Sequence, residues 1–312
     1  MRTGPERSGC GKVDGMDTLQ GIYVPLVTPF TADGELAPGA LESLAHSILA
    51  DGAAGLVALG TTGEPGALEP AEQAEVVRIC ARVCREHGAA LLVGAGGGST
   101  RAVAAALAGL KEVPEAVAAL TLVPPFVRAG SAGVLAHFQE LTAHSPVPLI
   151  VYHVPYRTGQ QLDAATLARL AALPGIAGVK YAAGGIDADT VALLGAAPDG
   201  FAVLAGDDAV LSPLLALGAT GGILASAHLA TDRFVELLEA WRAGEATRAR
   251  ELGHRLAALS AACFAEPNPA VVKGVLHAQG RIPSPAVRLP LLPAGPETVA
   301  AALARAAELS TW

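Results

Sequence analysis

The chain has 312 residues, of which 52% are hydrophobic and only 16% are charged, and its formal net charge is −8. The negative charge and the lack of a basic stretch argue against a nucleic-acid-binding protein. No apolar run reaches the ~18 uninterrupted residues of a membrane-spanning helix. The low content of charged residues indicates that much of the surface is buried, part of it between subunits.

The first 17 residues, which include Cys10, mix glycine with charged residues and have no apolar centre. They therefore lack the pattern of a signal peptide. We expect a flexible leader over residues 1–17.

The other three cysteines are Cys80, Cys84 and Cys263. We expect them to be buried thiols in a protein of the reducing cytoplasm. No group of His, Cys, Asp and Glu has the spacing of a metal site, so His153 and His228 are interpreted as structural.

From Gly21 onward, short apolar runs alternate with alanine-rich amphipathic stretches. The apolar runs predict eight strands, at Gly21–Thr28, Gly55–Gly60, Ala90–Gly94, Ala116–Val123, Pro148–Tyr152, Gly175–Lys180, Phe201–Ala205 and Thr220–Leu224. The stretches that follow them predict helices, at Pro38–Ala50, Pro70–His87, Thr100–Lys111, Gly133–Ala143, Asp163–Leu173, Asp187–Gly195, a helix starting near Asp207 or Asp208, and Thr231–Ala243. Eight such repeats are the number that closes a (β/α)8 TIM barrel of parallel strands, which we expect over residues 18–243.

A doubly wound open sheet is the alternative, but no GxGxxG motif follows the first strand. Three further helices are predicted after the barrel, at Glu245–Phe264, Asn268–Ala278 and Pro296–Leu309. We expect residues 244–312 to form a C-terminal helical appendage that serves packing or subunit contacts rather than catalysis.

One of only four lysines in the chain, Lys180, ends a predicted buried strand. Burial disfavours the ammonium ion and lowers the pKa of a lysine. A neutral amine is what Schiff-base chemistry with a carbonyl requires. The local sequence alone favours a simpler interpretation, in which the amine of a strand-end lysine reaches solvent. Lys273 lies outside the predicted barrel and is interpreted as structural.

Polar residues at other strand ends change that balance, because barrel active sites lie at the carboxyl ends of the strands. Thr61 and Thr62 follow the second strand, and Tyr152 ends the fifth, with Arg157 shortly after it. The Lys180 amine could form an iminium with a 2-oxo acid such as pyruvate, whose carboxylate Thr62 could bind. Tyr152, hydrogen-bonded to a threonine, could relay protons, and Arg157 could hold a second carboxylate.

Each of these residues also has a structural interpretation. The two threonines could shape a turn, Tyr152 could be a core aromatic residue, and Arg157 could pair with an acidic residue. Glu64, Asp207 and Asp208 are interpreted as helix caps and structural hydrogen-bond acceptors rather than catalysts.

These residues resemble the motifs of a known family. GTTGE at 60–64 and YHVPYRTG at 152–159, with Lys180 at the expected distance after them, resemble two signatures of the dihydrodipicolinate synthase / N-acetylneuraminate lyase family of class I pyruvate-dependent aldolases. LAGDDAVLSPLLALGATGGI at 204–223 and EPNPAVVK at 266–273 add to the resemblance. It covers the chain from Gly21 to the C-terminus.

The resemblance implies that Lys180 is the Schiff-base lysine. By the same match, Tyr152 and Thr61 are similar to the proton-relay residues, and Thr62 to a ligand of the pyruvate carboxylate. Such an enzyme uses no cofactor, because the substrate itself forms an imine with the lysine.

Other positions bear on the second substrate and on assembly. Arg157 resembles the arginine that receives the carboxylate of a semialdehyde in the synthase branch. Gly206 and Ile223 resemble positions that line the pocket. The resemblance also implies a homotetramer built as a dimer of dimers, which fits the low charge content.

The chain departs from the family pattern at several positions. Phe126 stands where the synthase branch has a tyrosine that completes the relay across the dimer interface, and the loss of one acid–base group typically costs ~10²–10⁴ in rate. His153 replaces the usual asparagine. Pro70, Gly98 and Ala102 replace polar ligands of the lysine feedback site, which predicts no inhibition by lysine.

We therefore expect a Schiff-base lyase that condenses pyruvate with an aldehyde, and L-aspartate-4-semialdehyde is the leading candidate because Arg157 is present. One alternative keeps the mechanism and changes the substrate to a 2-keto-3-deoxy sugar acid or 4-hydroxy-2-oxoglutarate, as Phe126 would favour. Another alternative is a barrel that binds a 2-oxo acid without turnover, against which the retained lysine, tyrosine and threonines argue.

Overall fold

The structure is a computed structural model and describes residues 19–310, so the expected leader over residues 1–17, with Cys10, lies outside it. Eight parallel strands form a closed barrel in which each strand pairs with the next and the last pairs with the first. The strands are β1 (Gly21–Pro25), β2 (Gly55–Ala58), β3 (Ala90–Gly94), β4 (Ala116–Leu122), β5 (Leu149–His153), β6 (Ile176–Tyr181), β7 (Ala202–Ala205) and β8 (Gly221–Ile223). The predicted TIM barrel is confirmed, and the open-sheet alternative is wrong.

Helices surround the barrel and follow it. They are α1 (Pro38–Ala50), α2 (Pro70–His87), α3 (Thr100–Ala108), α4 (Gly130–His144), α5 (Pro155–Thr158), α6 (Ala164–Ala171), α7 (Ala188–Ala196), α8 (Leu211–Ala216), α9 (Thr231–Arg242), α10 (Ala246–Cys263), α11 (Ala270–Ala278) and α12 (Pro296–Ser310). The short helix α5 was not predicted, because four residues after a proline carry no helical periodicity.

Two apolar layers hold the barrel together, since successive strand residues point to opposite faces. Side chains such as Tyr23, Val57, Leu92, Ile150 and Leu204 fill the interior of the barrel. The alternate strand residues pack outward against the buried faces of the helices. Every strand is covered on both sides, which explains why the runs read as almost continuously apolar.

Local signals set several helix ends where they were expected. Pro70 is the first residue of α2, and Gly88 ends it in the left-handed conformation with φ of 63°, a position that glycine tolerates. The Asp163 carboxylate accepts a hydrogen bond of 2.8 Å from the Thr166 N–H at the start of α6. That contact confirms the predicted N-cap.

The helices after the barrel pack onto it. The helix α10 contacts α8 and α9, and α12 contacts both α10 and α11. The predicted C-terminal helical region is therefore present, and it also reaches the mouth of the barrel, as described below. Between residues 19 and 310, no helix is both long enough and apolar enough to span a lipid bilayer.

Candidate active site

Lys180 projects into the barrel near its carboxyl end. It pairs in register with Tyr152 of β5 on one side and Leu204 of β7 on the other, and both neighbours belong to the interior cluster. The residue is 6% exposed. Its Nζ lies 4.3 Å from the centroid of the Tyr152 ring, and it forms no hydrogen bond or salt bridge with any residue of the described range 19–310.

Burial dominates the electrostatics of this amine. It lowers the pKa of Lys180 to about 8, and the nearby Asp208 carboxylate opposes that fall. A substantial fraction of the amine is therefore neutral near pH 8, which is what nucleophilic attack on a carbonyl requires. The interpretation of Lys180 as a strand-end lysine that reaches solvent is wrong.

Tyr152 is almost fully buried beside the lysine. Burial raises the pKa of its hydroxyl to about 12, and Arg157 and the Thr61 hydroxyl act against that rise. Thr61 and Tyr152 both line a cavity of about 1060 Å³ that opens from the barrel mouth toward the space between α2 and α3. The structure thus brings the two predicted relay residues to one wall.

Thr62 lies in a turn of 3-10 helix over Thr61–Gly63 that follows β2. Its side chain is buried, and its Oγ1 accepts a hydrogen bond of 2.9 Å from Nδ2 of Asn268. The Thr28 hydroxyl donates to the Gly63 carbonyl at 2.7 Å and fastens the turn from the β1 side. The alternative interpretation, in which the two threonines shape a turn, agrees with their backbone. It gives no role to the hydroxyl hydrogen of Thr62, which has no acceptor among the described residues.

The C-terminal region anchors the residue after this turn. Glu64 adopts the left-handed conformation with φ of 54°. Its Oε1 accepts a hydrogen bond of 2.6 Å from Nζ of Lys273, and its Oε2 accepts one of 2.9 Å from the Arg288 N–H. The Arg288 guanidinium binds both carboxylate oxygens of Glu72 at 2.6 Å. The structural interpretation of Glu64 and Lys273 agrees with these contacts.

Gly206 lies against the Lys180 side chain, and Ile223 belongs to the same interior cluster as Tyr152 and Leu204, the strand neighbours of the lysine. That both line the substrate pocket stays a prediction. A Cβ on Gly206 would lie 2.9 Å from Cγ and 3.1 Å from Cε of Lys180, so this position has room only for glycine. Ile223 is buried in the barrel interior and pairs with Tyr23 of β1.

The two aspartates after β7 are hydrogen-bond acceptors, but neither side chain caps a helix. Asp207 accepts from the Gly184 N–H at 2.7 Å, and Asp208 accepts from the Ser226 N–H at 2.6 Å. Asp207 and Glu64 stand directly before turns of 3-10 helix, but neither side chain bonds to the turn that follows. The expectation of structural hydrogen-bond acceptors is therefore confirmed, and that of capping side chains is wrong. Burial raises the pKa of Asp208 to about 6, so it carries charge near Lys180 at neutral pH.

Arg157 lies in α5 at the rim of the mouth and is exposed. Its Nε donates a hydrogen bond of 3.0 Å to the Tyr156 hydroxyl, so it does not pair with an acidic residue of the described chain. Phe126 is 87% exposed and has a positive φ of 69°, and its N–H donates to the Thr158 carbonyl at 3.0 Å. No contact between Phe126 and Tyr152 is present within residues 19–310, and the Phe126 side chain has no hydroxyl with which to complete a relay.

The two histidines singled out in the sequence are buried and neutral. His228 accepts the Val27 N–H at Nε2 and contacts the Ala225 carbonyl through Nδ1, and burial lowers the pKa of both His228 and His153 to about 4. Neither ring nitrogen of His153 has a hydrogen-bond partner among the described residues. Residues 19–310 contain no group of three or more His, Cys, Asp or Glu side chains arranged to hold a metal ion.

Sequence reasoning missed two residues of this site. Asn268 was assigned to a helix remote from catalysis, yet it contacts Thr62 across 206 residues of chain. It is the only asparagine in the chain, and that rarity was the available signal. Tyr156 was not singled out, although a tyrosine directly before Arg157 could have been expected to contact it.

Comparison with known proteins agrees with this geometry. The model of the dihydrodipicolinate synthetase family matches residues 18–307. The chain belongs to this family. A 4-hydroxy-tetrahydrodipicolinate synthase of Aromatoleum aromaticum is 38% identical over 294 residues, which are 92% of this chain and 98% of that protein.

Solved structures of the dihydrodipicolinate synthetase family superpose closely on the chain. A chloride-inhibited dihydrodipicolinate synthase from Acinetobacter baumannii, solved in complex with pyruvate, has a TM-score of 0.88 at 33% identity and covers 93% of this chain and 99% of its own. A monomeric dihydrodipicolinate synthase variant has a TM-score of 0.88 at 29% identity and covers 94% of this chain and 97% of its own. The expected family and fold are confirmed.

Proposed function

We propose that the chain is a class I lyase that condenses pyruvate with L-aspartate-4-semialdehyde, as a 4-hydroxy-tetrahydrodipicolinate synthase. The observation that carries the proposal is the Lys180 amine, buried without a hydrogen-bond or ionic partner in the described residues and 4.3 Å from the Tyr152 ring. An unpaired buried amine costs stability, and a functional site is where such a cost is retained. The names of the relatives supply the product, 4-hydroxy-tetrahydrodipicolinate, and one solved relative holds pyruvate.

The reaction begins with attack of the neutral Lys180 amine on the C2 carbonyl of pyruvate. The carbinolamine loses water to give an iminium, which draws electrons from C3 and allows loss of a C3 proton to form an enamine. Tyr152, with the Thr61 hydroxyl beside it, carries the protons that leave and return. Thr62 donates a hydrogen bond to the pyruvate carboxylate.

The enamine carbon then attacks the aldehyde, whose oxygen takes up a proton and becomes a hydroxyl group. Arg157 receives the carboxylate of the semialdehyde, for which its exposed position at the rim is suited. The amino group of that substrate closes the ring on C2 and releases Lys180. This route needs no cofactor, because the imine on the lysine stabilises the carbanion.

A second candidate keeps the lysine chemistry and uses another aldehyde, such as one that gives a 2-keto-3-deoxy sugar acid or 4-hydroxy-2-oxoglutarate. Phe126 favours it, since this side chain has no hydroxyl to offer a relay from a neighbouring subunit. The absence of polar side chains at Pro70, Gly98 and Ala102 also leads us to propose that lysine does not inhibit the enzyme.

We further propose a homotetramer in the cytoplasm. Phe126 and Val127, after β4, and Tyr156, after β5, are exposed apolar side chains, and α6 and α7 enclose a groove lined almost entirely by alanine. Exposed apolar surfaces of this kind mark contacts between subunits. The thiols of Cys80, Cys84 and Cys263 are buried and unpaired, which suits a reducing compartment.

The test is turnover with a panel of aldehydes after incubation with pyruvate. We expect the highest kcat/KM with L-aspartate-4-semialdehyde, and Arg157→Ala should lower kcat/KM for that aldehyde more than for one without a carboxylate. Faster turnover of a sugar-derived aldehyde would assign the second candidate. Failure to consume pyruvate with any aldehyde would leave only the non-catalytic, 2-oxo-acid-binding barrel.

A further inference from the structure

We infer that Asn268 is a positioning residue that fixes the direction in which the Thr62 hydroxyl donates its hydrogen bond. The inference rests on the proposed function, because it concerns how the pyruvate carboxylate is held. It assigns part of the substrate site to the C-terminal helical region.

The hydrogen bond between Asn268 and Thr62 makes the Thr62 hydroxyl an acceptor toward Asn268 and leaves its hydrogen free to be donated elsewhere. Nδ2 of Asn268 donates to Oγ1 of Thr62 at 2.9 Å. A hydroxyl has one hydrogen and two acceptor lone pairs. Because the amide occupies a lone pair, the hydroxyl hydrogen of Thr62 stays available to an anion, and no described residue accepts it.

Burial strengthens the hydrogen bond that the Thr62 hydroxyl can donate. Thr62 is 4% exposed, so water does not compete freely for its hydroxyl. The Oδ1 atom of Asn268 is also buried and has no hydrogen-bond partner in the described residues. If the amide were reversed, Oδ1 would take the Thr62 hydrogen and leave only lone pairs to face the carboxylate, which would repel it.

The surrounding contacts hold Asn268 in place. The Lys273 N–H donates to the Pro269 carbonyl at 3.0 Å as α11 begins, and the Lys273 side chain is tied to Glu64 at 2.6 Å. The segment from Asn268 to Lys273 therefore contacts the turn at both Thr62 and Glu64. Two attachments to one loop limit the freedom of the amide and its partner, which is what a pre-organised donor needs.

The chain offers a decisive pair of variants. Asn268→Asp keeps the shape of the side chain but can only accept a hydrogen bond when ionised, so it would draw the Thr62 hydroxyl hydrogen toward itself. Asn268→Ala removes the interaction and leaves the hydroxyl free to rotate. We expect the Asp variant to be affected more than the Ala variant.

The readout is the pyruvate concentration that gives half-maximal borohydride-trapped adduct, measured by intact mass without any aldehyde. Hydrogen bonds to charged groups are worth about 1.5–3 kcal/mol, so we expect that concentration to rise roughly 10-fold to 100-fold in Asn268→Asp and less in Asn268→Ala. The adduct at saturating pyruvate should remain complete in both variants. A purely structural role would instead lower the fraction of protein that can be trapped.

Gln279→Glu is the matched control, since it makes the same amide-to-carboxylate change in an exposed side chain at the far end of α11. The Thr62 hydroxyl is bound by Asn268 and not by Gln279. We expect its half-maximal pyruvate concentration to match that of the unmodified protein.

A double-mutant cycle separates action through Thr62 from any other effect. In a Thr62→Val background, Asn268→Asp should cause little further change, because the hydroxyl on which the amide acts is gone. Equal effects of Asn268→Asp with and without the Thr62 hydroxyl, or an equal effect of Gln279→Glu, would overturn the inference. A protein that forms no adduct with pyruvate at all would overturn the proposed function instead.

Discussion

Two of the three lysines in residues 19–310 are buried, and burial lowers the pKa of each to about 8. Both place the amine over an aromatic ring, Lys180 at 4.3 Å from the centroid of Tyr152 and Lys273 at 4.0 Å from that of Phe30. They differ in their partners. Lys273 is 0% exposed and forms a salt bridge of 2.6 Å with Glu64, whereas Lys180 has no such partner among the described residues.

The comparison shows that a lowered pKa does not by itself identify a reactive lysine. A salt bridge occupies the amine of Lys273 and keeps it structural, and the ring beside it has no hydroxyl to carry protons. The Lys180 amine has no hydrogen-bond or ionic partner among the described residues, and it lies 4.3 Å from the ring centroid of Tyr152, whose hydroxyl can carry protons. The chemistry follows from the neighbours of the amine rather than from its burial.

The largest expected effect comes from removing the Tyr152 hydroxyl, since the ring beside Lys180 carries a hydroxyl and the ring beside Lys273 does not. Tyr152→Phe makes the ring beside Lys180 like the ring beside Lys273, and the loss of an acid–base group should lower kcat by ~10²–10⁴. Steady-state turnover with pyruvate and the best aldehyde checks this. Tyr23→Phe, inside the same barrel but away from the lysine, is the control, and an equal fall in both variants would contradict the assignment.

Next in size is the effect of Lys→Met on stability, which should differ between the two sites. Lys273→Met leaves the Glu64 carboxylate buried without its partner and should cost about 3–5 kcal/mol of unfolding free energy. Lys180→Met removes an amine that has no partner and should leave the unfolding free energy unchanged or raise it. Urea unfolding of both variants measures this difference. Similar losses of unfolding free energy in the two variants would contradict it.

The pH dependence of adduct formation should follow the Lys180 amine. With a pKa of about 8, the protonated form dominates below that pH, so the neutral fraction falls about tenfold per unit. The rate constant for reaction with pyruvate should therefore be about 100-fold lower at pH 6 than on the plateau above pH 8, as stopped-flow mixing can measure.

The same profile tests the role of Asp208. Its charge raises the pKa of Lys180 against the effect of burial, so Asp208→Asn should shift the profile to lower pH. The asparagine oxygen can still accept the Ser226 N–H. A shift to higher pH would mean that another group sets the charge of the amine.

The smallest predicted effect is steric, because a Cβ at position 206 would crowd Lys180 and also lie 2.9 Å from the Cβ of Ala182. Gly206→Ala would place a Cβ 2.9 Å from Cγ of Lys180, and such overpacking costs about 1–3 kcal/mol. We expect a fall of roughly tenfold in the rate of adduct formation, because that cost corresponds to about one power of ten or more. Gly39→Ala, where a Cβ would meet nothing within 4 Å, should leave the rate unchanged.

The sequence predicts the barrel and the lysine–tyrosine pair well, because both depend on local pattern. Alternating strands and helices define the barrel, and its geometry places Tyr152 and Lys180 at neighbouring strand ends. The aspartates after β7 show the limit of local reasoning, since their partners, Gly184 and Ser226, belong to other loops.

The contacts that distinguish the two lysines lie beyond the reach of such patterns. Glu64 and Lys273 are 209 residues apart, and Thr62 and Asn268 are 206 apart. Nothing in the periodicity of α11 indicates which loop it meets. Only the packing of the C-terminal helices onto the barrel brings these residues together.

The most direct test of the account is to locate the pyruvate adduct among the four lysines. The protein is incubated with pyruvate, reduced with borohydride, digested and mapped by mass spectrometry, with Lys180→Met and an untreated sample as controls. We predict a single modified residue, Lys180, and no adduct in the Lys180→Met variant. Modification of Lys273, or an adduct that persists without Lys180, would contradict the claim that the unpaired lysine is the reactive one.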